Sequence, residues 1–421
     1  MSGTLDLATV VPVSPRELGS DSPPKVLVVG GGVAGLEVLV GLRTLAGDRV
    51  ELELVSPERY FAHRPLLVGS AFGAGPGPVL EVGDVARTVN ARCTIDAVSE
   101  VVPQDNLVAL ATGASRGYDI LVIATGARPT DCIPGAIAFG APGGSQRFRN
   151  MLAEAQRGVI SRIVFAVPDQ AGWPLPLYEL ALVTADRLQA VGASAEITLL
   201  THEPAPLALF GARASDAVLD ELETRGIHFI AGTHADQFAG GELRAWPGDA
   251  RIRADAVVTL PMLRGLEIPG LPADEQGFLP VDAHGLVHGL TDVYAAGDAV
   301  SFPVKHGSLA AGQADAVAEA IAARVGAAVK AEPFRGVLRG LLLAGKGSHY
   351  LESAMEGSTG GPGVVSSSPL WWPPAKIAGR YLAPYLSGQI SSPPAMPSGR
   401  GMQLEIDLDR GPVPPVGVAG T

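Results

Sequence analysis

Gly30-Gly31-Gly32-Val33-Ala34-Gly35 stands directly after an apolar, β-rich run, Lys25–Val29, and before a helical pattern over residues 34–45. Gly30 permits a tight turn out of the strand, Gly32 lets a pyrophosphate approach the backbone, and Gly35 lets the helix pack close to the sheet. The start of the helix offers free N–H groups and a positive dipole end to the phosphates. A dinucleotide is the ligand this arrangement suits. Residues 50–55 read as the next strand, whose end commonly carries an acid for the ribose. Here it ends at Ser56, with Glu58 two residues on, and either side chain could serve. Ala124-Thr125-Gly126 and Ala296-Gly297-Asp298 each put small residues at a strand end, where a backbone can lie against a cofactor. The Asp298 carboxylate can accept hydrogen bonds from ligand hydroxyls.

The elements that must position these residues alternate regularly. Strands are expected over 118–125, 163–167, 195–200, 227–230, 254–260 and 293–296, and helices over 177–191, 212–225 and 308–325. Strand and helix alternating at this length imply parallel sheets with helices on their faces. The expected fold is therefore α/β, with two Rossmann-like three-layer dinucleotide-binding domains, the first discontinuous, and a small C-terminal segment. The boundaries read as a disordered tail 1–23, an N-terminal stretch of the cofactor domain 24–134, a second nucleotide-binding-like domain 135–274, and the returning stretch of the cofactor domain 275–330. A less regular segment 331–390 and a Pro-, Gly- and Ser-rich disordered tail 391–421 follow.

Composition narrows the function classes. A formal net charge of −12 argues against nucleic acid as a partner, because phosphate binding needs clustered Lys and Arg. The first residues have no basic start leading into an apolar stretch, and no apolar run reaches the ~18–20 residues that span a bilayer. A cytoplasmic protein is expected. The two cysteines, Cys93 and Cys132, form neither a C-x-x-C pair nor a metal-ligand spacing with histidine, so no metal site is expected and both read as inert packing residues.

The three glycine-rich signals, in this order and separation, resemble the two-dinucleotide-domain flavoprotein superfamily that includes pyridine nucleotide-disulfide reductases, nearest the branch of type II NADH dehydrogenases and sulfide:quinone reductases. The resemblance covers about residues 25–324. SPERYF, HRPLLVGSAFG, WPLPLYELAL, PAPLALFG, FPVKHGSLAAGQADAVAEAI and LWWPPAKIAGRYLAPYL are also similar to an actinobacterial group of FAD-dependent oxidoreductases, and that match runs to about Gly388. The resemblance implies FAD as cofactor. It implies pyrophosphate binding at Gly30, Gly31, Gly32, Val33, Ala34 and Gly35, further contacts at Ser56, Arg64, Pro65, Ala124, Thr125 and Gly126, and ribityl binding at Gly297 and Asp298. Lys305 and the helix start near Gly307 would then present positive charge to the flavin pyrimidine edge. His306 reads as a loop residue. Glu179 matches an acid near the flavin and is a candidate proton relay, or else a helix-start Glu held by the dipole.

Two departures shape the function. After the strand at 163–167, Trp173 and Pro174 stand where the first glycines of an NAD(P) motif would lie, and Leu177 where the third would be. That bulk argues against ordinary NAD(P) binding. The missing cysteines make sulfide oxidation and disulfide reduction poor readings. The expected activity is FAD-dependent transfer of electrons from a small-molecule donor to a quinone or other acceptor. An NAD(P)H-dependent reductase and a non-catalytic flavin-binding protein stand as alternatives. The aromatic stretch 370–374 and a short helix over 375–386 are expected to pack over the flavin or form a homodimer contact, with peripheral membrane contact the other option.

Overall fold

The computed structural model describes residues 22–74, 79–169, 172–344, 347–356 and 359–388. The expected tails lie outside these residues, apart from residues 22 and 23. The helices are α1 Val33–Ala46, α2 Leu67–Ala71, α3 Val82–Thr88, α4 Gly144–Gln156, α5 Leu175–Ala190, α6 Ala212–Thr224, α7 Gly307–Arg324 and α8 Leu382–Leu386.

The first sheet has five parallel strands in the order Val293–Ala295, Ile120–Ile123, Lys25–Val29, Glu51–Ser56 and Arg92–Ile95. Its central strand is apolar at every interior position because both faces are covered. Val26 and Val28 face α1, α3 and α7, while Leu27 and Val29 face the other layer with Val101, Val108 and Leu110. The chain leaves this sheet after Ile123 and returns to it at Val293, so α7 packs along α1 although the two are far apart in sequence.

The second sheet is also parallel, in the order His228–Ile230, Glu196–Leu200, Arg162–Ala166, Ala256–Thr259 and Ile137–Ala138. Phe165, Leu199 and Val258 enter one core with Phe148 of α4, Leu177 and Leu180 of α5 and Val218 of α6. The α/β architecture with paired Rossmann-like sheets is as the alternation predicts.

The segment after residue 330 corrects the expectation of irregularity. Val337–Ala344, Gly347–Glu356 and Thr359–Ser366 form an antiparallel three-stranded sheet. Burial alternates along its first strand, and Leu338, Leu342 and Leu351 join the core beneath α5. The expected helix over 375–386 is shorter: only Leu382–Leu386 is helical. Pro373 and Pro374 precede it, and at Gly379 a Cβ would lie 2.4 Å from the Glu37 carboxylate. Residues 375–386 instead form a strap that packs on the first domain. Ile377, Tyr381 and Leu382 are buried against α1 and α7. Glu37 of α1 has no exposed surface and accepts the backbone N–H groups of Tyr381 and Leu382 at 2.7 and 2.9 Å. Burial pushes its carboxyl up, and it pushes the neighbouring Asp315 of α7 well up, with the Glu37 charge adding to the effect. Trp372, before the strap, is 72 % exposed. No helix of the described residues is long and apolar enough to cross a membrane.

Removing the acceptor tests the strap's attachment. Glu37→Leu leaves two buried donors unpaired, at a cost of about 1–3 kcal/mol each. Urea unfolding should show a lower midpoint. A midpoint equal to that of the unaltered protein would mean the strap is not held through Glu37.

Candidate functional site

The turn from the strand Lys25–Val29 into α1 is built for want of side chains. Gly30 has φ +115°, and a Cβ there would lie 2.2 Å from the Ala124 carbonyl oxygen. A Cβ on Gly35 would lie 1.8 Å from the Gly30 carbonyl oxygen. Both glycines are required by packing. Gly32 differs, since a Cβ there would meet nothing within 4 Å. It caps α1 without a side-chain hydrogen bond, and the first helical bond runs from Leu36 N–H to Gly32 C=O at 3.0 Å. The N–H groups of Val33 and Ala34 therefore stand at a helix start facing open space.

That space is a cavity of about 730 Å³, within the ~300–1,000 Å³ of small-molecule and cofactor sites. Gly30, Gly31, Gly32, Val33 and Ala34 form one end, with Arg64, Pro65, Ala124, Thr125 and Gly126 beside them. Gly297, Asp298, Lys305 and Gly307 continue the wall. Trp173, Pro176 and Glu179 of the second domain and Leu341 and Lys376 of the C-terminal segment also line it. Two candidate residues stand behind the wall. Gly35 packs under the turn. Ser56 is fully buried with its hydroxyl donating to the Glu58 carbonyl at 3.0 Å, so Glu58 is the member of that pair that reaches the cavity.

Charge gathers along the middle of the wall. Gly297, at φ +77°, donates its N–H to Gln313 Oε1 of α7 at 2.8 Å, which fixes the following Asp298. Burial pushes the Asp298 carboxyl up, opposed by the charges of Lys305 and Arg64. Lys305 Nζ donates to the Val300 carbonyl and lies 3.6 Å from the centre of the Phe278 ring. Burial lowers its ammonium to about 8, against the pull of Asp298 and Asp274. His306, read from sequence as a loop residue, is the N-cap of α7: its Nδ1 accepts the Ser308 N–H at 3.3 Å. Burial and the nearby Lys376 hold its pKa down to about 3, so its ring is neutral.

Glu179 has no exposed surface. Lys376 Nζ donates to its two oxygens at 2.5 and 2.7 Å, and Leu343 N–H donates to Oε1 at 2.9 Å. Burial raises the carboxyl and Lys376 opposes the rise. Nothing in the sequence pairs Lys376 with Glu179, 197 residues away. By sequence alone Lys376 is one of two charges on a short helix.

Among the described residues, the second sheet's own crest offers no comparable cradle. Pro176 stands in the first turn of α5 with no N–H to give, Leu177 donates its N–H to Pro174 C=O at 2.9 Å, and the Leu177 side chain is fully buried. Glu203, just past the strand Glu196–Leu200, is turned inward. It accepts from Tyr178 Oη at 2.8 Å, Thr201 Oγ1 at 3.1 Å and Ala208 N–H at 3.2 Å. Neither cysteine lines the cavity. Cys132 Sγ donates to the Leu260 carbonyl at 3.1 Å, and burial pushes both thiols up.

Residues 24–158 and 179–323 match the family model described as pyridine nucleotide-disulphide oxidoreductase. An NADH dehydrogenase-like protein of Mycobacterium tuberculosis is 26 % identical over 294 residues, covering 65 % of this chain and 72 % of that protein. A sulfide-quinone reductase of Aquifex aeolicus is 26 % identical over 225 residues, covering 49 % of this chain and 50 % of that protein. Among solved structures, the sulfide:quinone oxidoreductase of Aquifex aeolicus is similar in fold, with a TM-score of 0.72 at 18 % identity over 82 % of this chain and 86 % of that one.

The two glycines make opposite predictions. Gly32→Val projects into open space, so the protein should keep its thermal midpoint and lose retention of a dinucleotide cofactor. Gly35→Val drives a side chain into the turn and should unfold the protein or prevent its production. A Gly32 variant that retains cofactor normally would contradict this account of the helix start.

Proposed function

The chain belongs to the pyridine nucleotide-disulphide oxidoreductase family, and on that premise we propose that it is an FAD-dependent enzyme that moves electrons from a small donor to a quinone or another acceptor. The observation that carries the reading is one cavity lined both by a bare helix start, Gly32, Val33 and Ala34, and by the charged side chains of Asp298, Lys305 and Glu179. The residues present fit FAD. Gly31, Gly32, Val33 and Ala34 offer backbone donors for the pyrophosphate, and Glu58 offers a carboxylate for ribose hydroxyls. Thr125, Gly126 and Asp298 offer small surface and acceptors for the ribityl chain. Bound there, FAD supplies two-electron redox chemistry, and the protein's role is to position it and tune its potential.

Lys305 and the start of α7 bring positive charge to one stretch of wall, which favours the negative charge that accumulates on reduction. Glu179 is a buried acid whose carboxyl can hold a proton at Oε1 or Oε2, with Lys376 supplying the compensating charge while it is ionised. Trp173, Pro176 and Leu341 add apolar surface to the same wall.

An NAD(P)H donor is disfavoured by the second domain. The start of α5 has Pro176 and a used Leu177 N–H where phosphate donors are needed, and the Glu203 carboxylate is bonded internally rather than offered to a ribose. A small donor that enters the cavity itself asks for none of these groups. The missing redox cysteine pair argues equally against a disulfide substrate.

Lys305→Met should retain FAD and lower its midpoint potential. A loss of about 1–3 kcal/mol, as for hydrogen bonds to charged groups, corresponds to some tens of millivolts at ~30 mV per 1.4 kcal/mol for a two-electron couple. The lysine is charged below its pKa of about 8. The gap between unaltered protein and variant should therefore be full at pH 7 and narrow as the pH rises past 8. Anaerobic redox titration at several pH values reads this directly, and identical midpoints at pH 7 would show that Lys305 does not act on the cofactor.

A further inference from the structure

We propose that Trp173 is the residue that determines which donor reaches the redox end of the cavity, its indole closing that end to a nicotinamide ring. The inference rests on the reading that FAD occupies the cavity, and adds to it a specificity determinant.

Trp173 belongs to the second domain by sequence and packs between it and the first. The preceding residue, Gly172, accepts the Lys305 N–H at 3.2 Å, and a Cβ on Gly172 would lie 3.1 Å from Lys305 Cγ, so the loop sits directly on the lysine. The indole lies 4.1 Å, centre to centre, from the His306 ring and meets Phe210 edge-on at 5.6 Å. His306 is fixed as the N-cap of α7. Phe210 is fixed from behind: a Cβ on Gly340 would lie 2.8 Å from its ring, and one on Gly363 would lie 1.7 Å from its carbonyl oxygen. Trp173 is thus clamped between two rings, with its remaining surface lining the cavity beside Lys305, Gly307 and Glu179.

Hydride transfer requires donor and acceptor rings in near contact, with the reacting atoms ~3–3.5 Å apart. On this proposal, a nicotinamide delivered from the second domain would meet the indole at the wall it shares with Lys305 and Gly307. The pyrophosphate defect at α5 is separate, because it weakens the grip on a dinucleotide but does not obstruct the ring. The two effects can therefore be told apart with a donor that has a nicotinamide ring and no phosphate.

The test compares unaltered protein, Trp173→Ala and Trp173→Leu, each assayed first for FAD content and thermal midpoint. Oxidised 1-methylnicotinamide is titrated against each while the visible spectrum is followed, which reports ring binding without turnover. Reduction by 1-benzyl-1,4-dihydronicotinamide and by NADH is then timed anaerobically. In the unaltered protein the spectrum should not change and the benzyl compound should react slowly. In both variants the spectrum should shift saturably and the benzyl rate should rise about tenfold or more, equivalent to ~1.4 kcal/mol of relieved exclusion. NADH should gain no more than the phosphate-free donor. Variants that hold FAD and match the unaltered protein in spectrum and rate would overturn the gate while leaving the flavin reading intact. An unaltered protein that cannot take up FAD would overturn both.

Discussion

Glu179 has no exposed surface, and a carboxylate in that position must be paired or protonated. Its partner comes from the far end of the described chain. Lys376 reaches it from the strap, and Leu343 adds a backbone N–H from the C-terminal sheet. One buried ion pair therefore joins α5 of the second domain, the sheet that covers it, and the strap. Beyond Lys376 the strap is bound to α1 through Glu37 and to α7 through Arg380, whose Nη1 lies 2.5 Å from Glu319 Oε1. Three regions of the sequence that could pack separately are held around a single cavity. Breaking one partner of such a pair typically costs ~3–5 kcal/mol, so the enclosed end of the site and the stability of its frame depend on the same contact.

The two parallel sheets show how one architecture can keep or lose a chemistry. Each has a strand running into a helix start, where an open α/β sheet commonly binds ligands. At α1 the residues are glycine, valine and alanine, and the backbone is exposed to the cavity. At α5 the corresponding stretch holds Trp173, Pro174, Pro176 and Leu177. Proline removes a donor, Leu177 fills the core, and Trp173 packs between Phe210 and His306. The second sheet then contributes walls, an acid and a clamp to the first domain's cavity.

What was legible in the sequence follows the range of the physical requirement. The Gly30–Gly35 turn could be read because its demands are local: a positive φ at Gly30, and a helix too close for a Cβ at Gly35. The inner strands of both parallel sheets announced themselves as short apolar runs buried on two faces, whereas the edge strands Arg92–Ile95, His228–Ile230 and Ile137–Ala138 are short or only partly buried. The C-terminal sheet did not, and Gly363 shows why. Glycine weakens a strand signal, yet a Cβ at this position would collide with the Phe210 carbonyl, so packing requires the residue that makes the segment read as a loop. Ser56 illustrates the opposite error. Its type and place suited a ribose, but its hydroxyl is committed to Glu58 C=O inside the wall. Lys376 was out of reach altogether, because its role is set by a contact 197 residues away.

On the proposed reading, the second parallel sheet serves as one wall of a flavin site whose electrons come from a donor other than a nicotinamide. Anaerobic rapid mixing of the FAD-loaded protein with saturating NADH and with NADPH tests it most directly. With either nucleotide the flavin bands should bleach far more slowly than enzyme turnover. Reduction at about 10 per second or faster, the range of ordinary kcat values, would contradict it and make the protein a nicotinamide-dependent reductase.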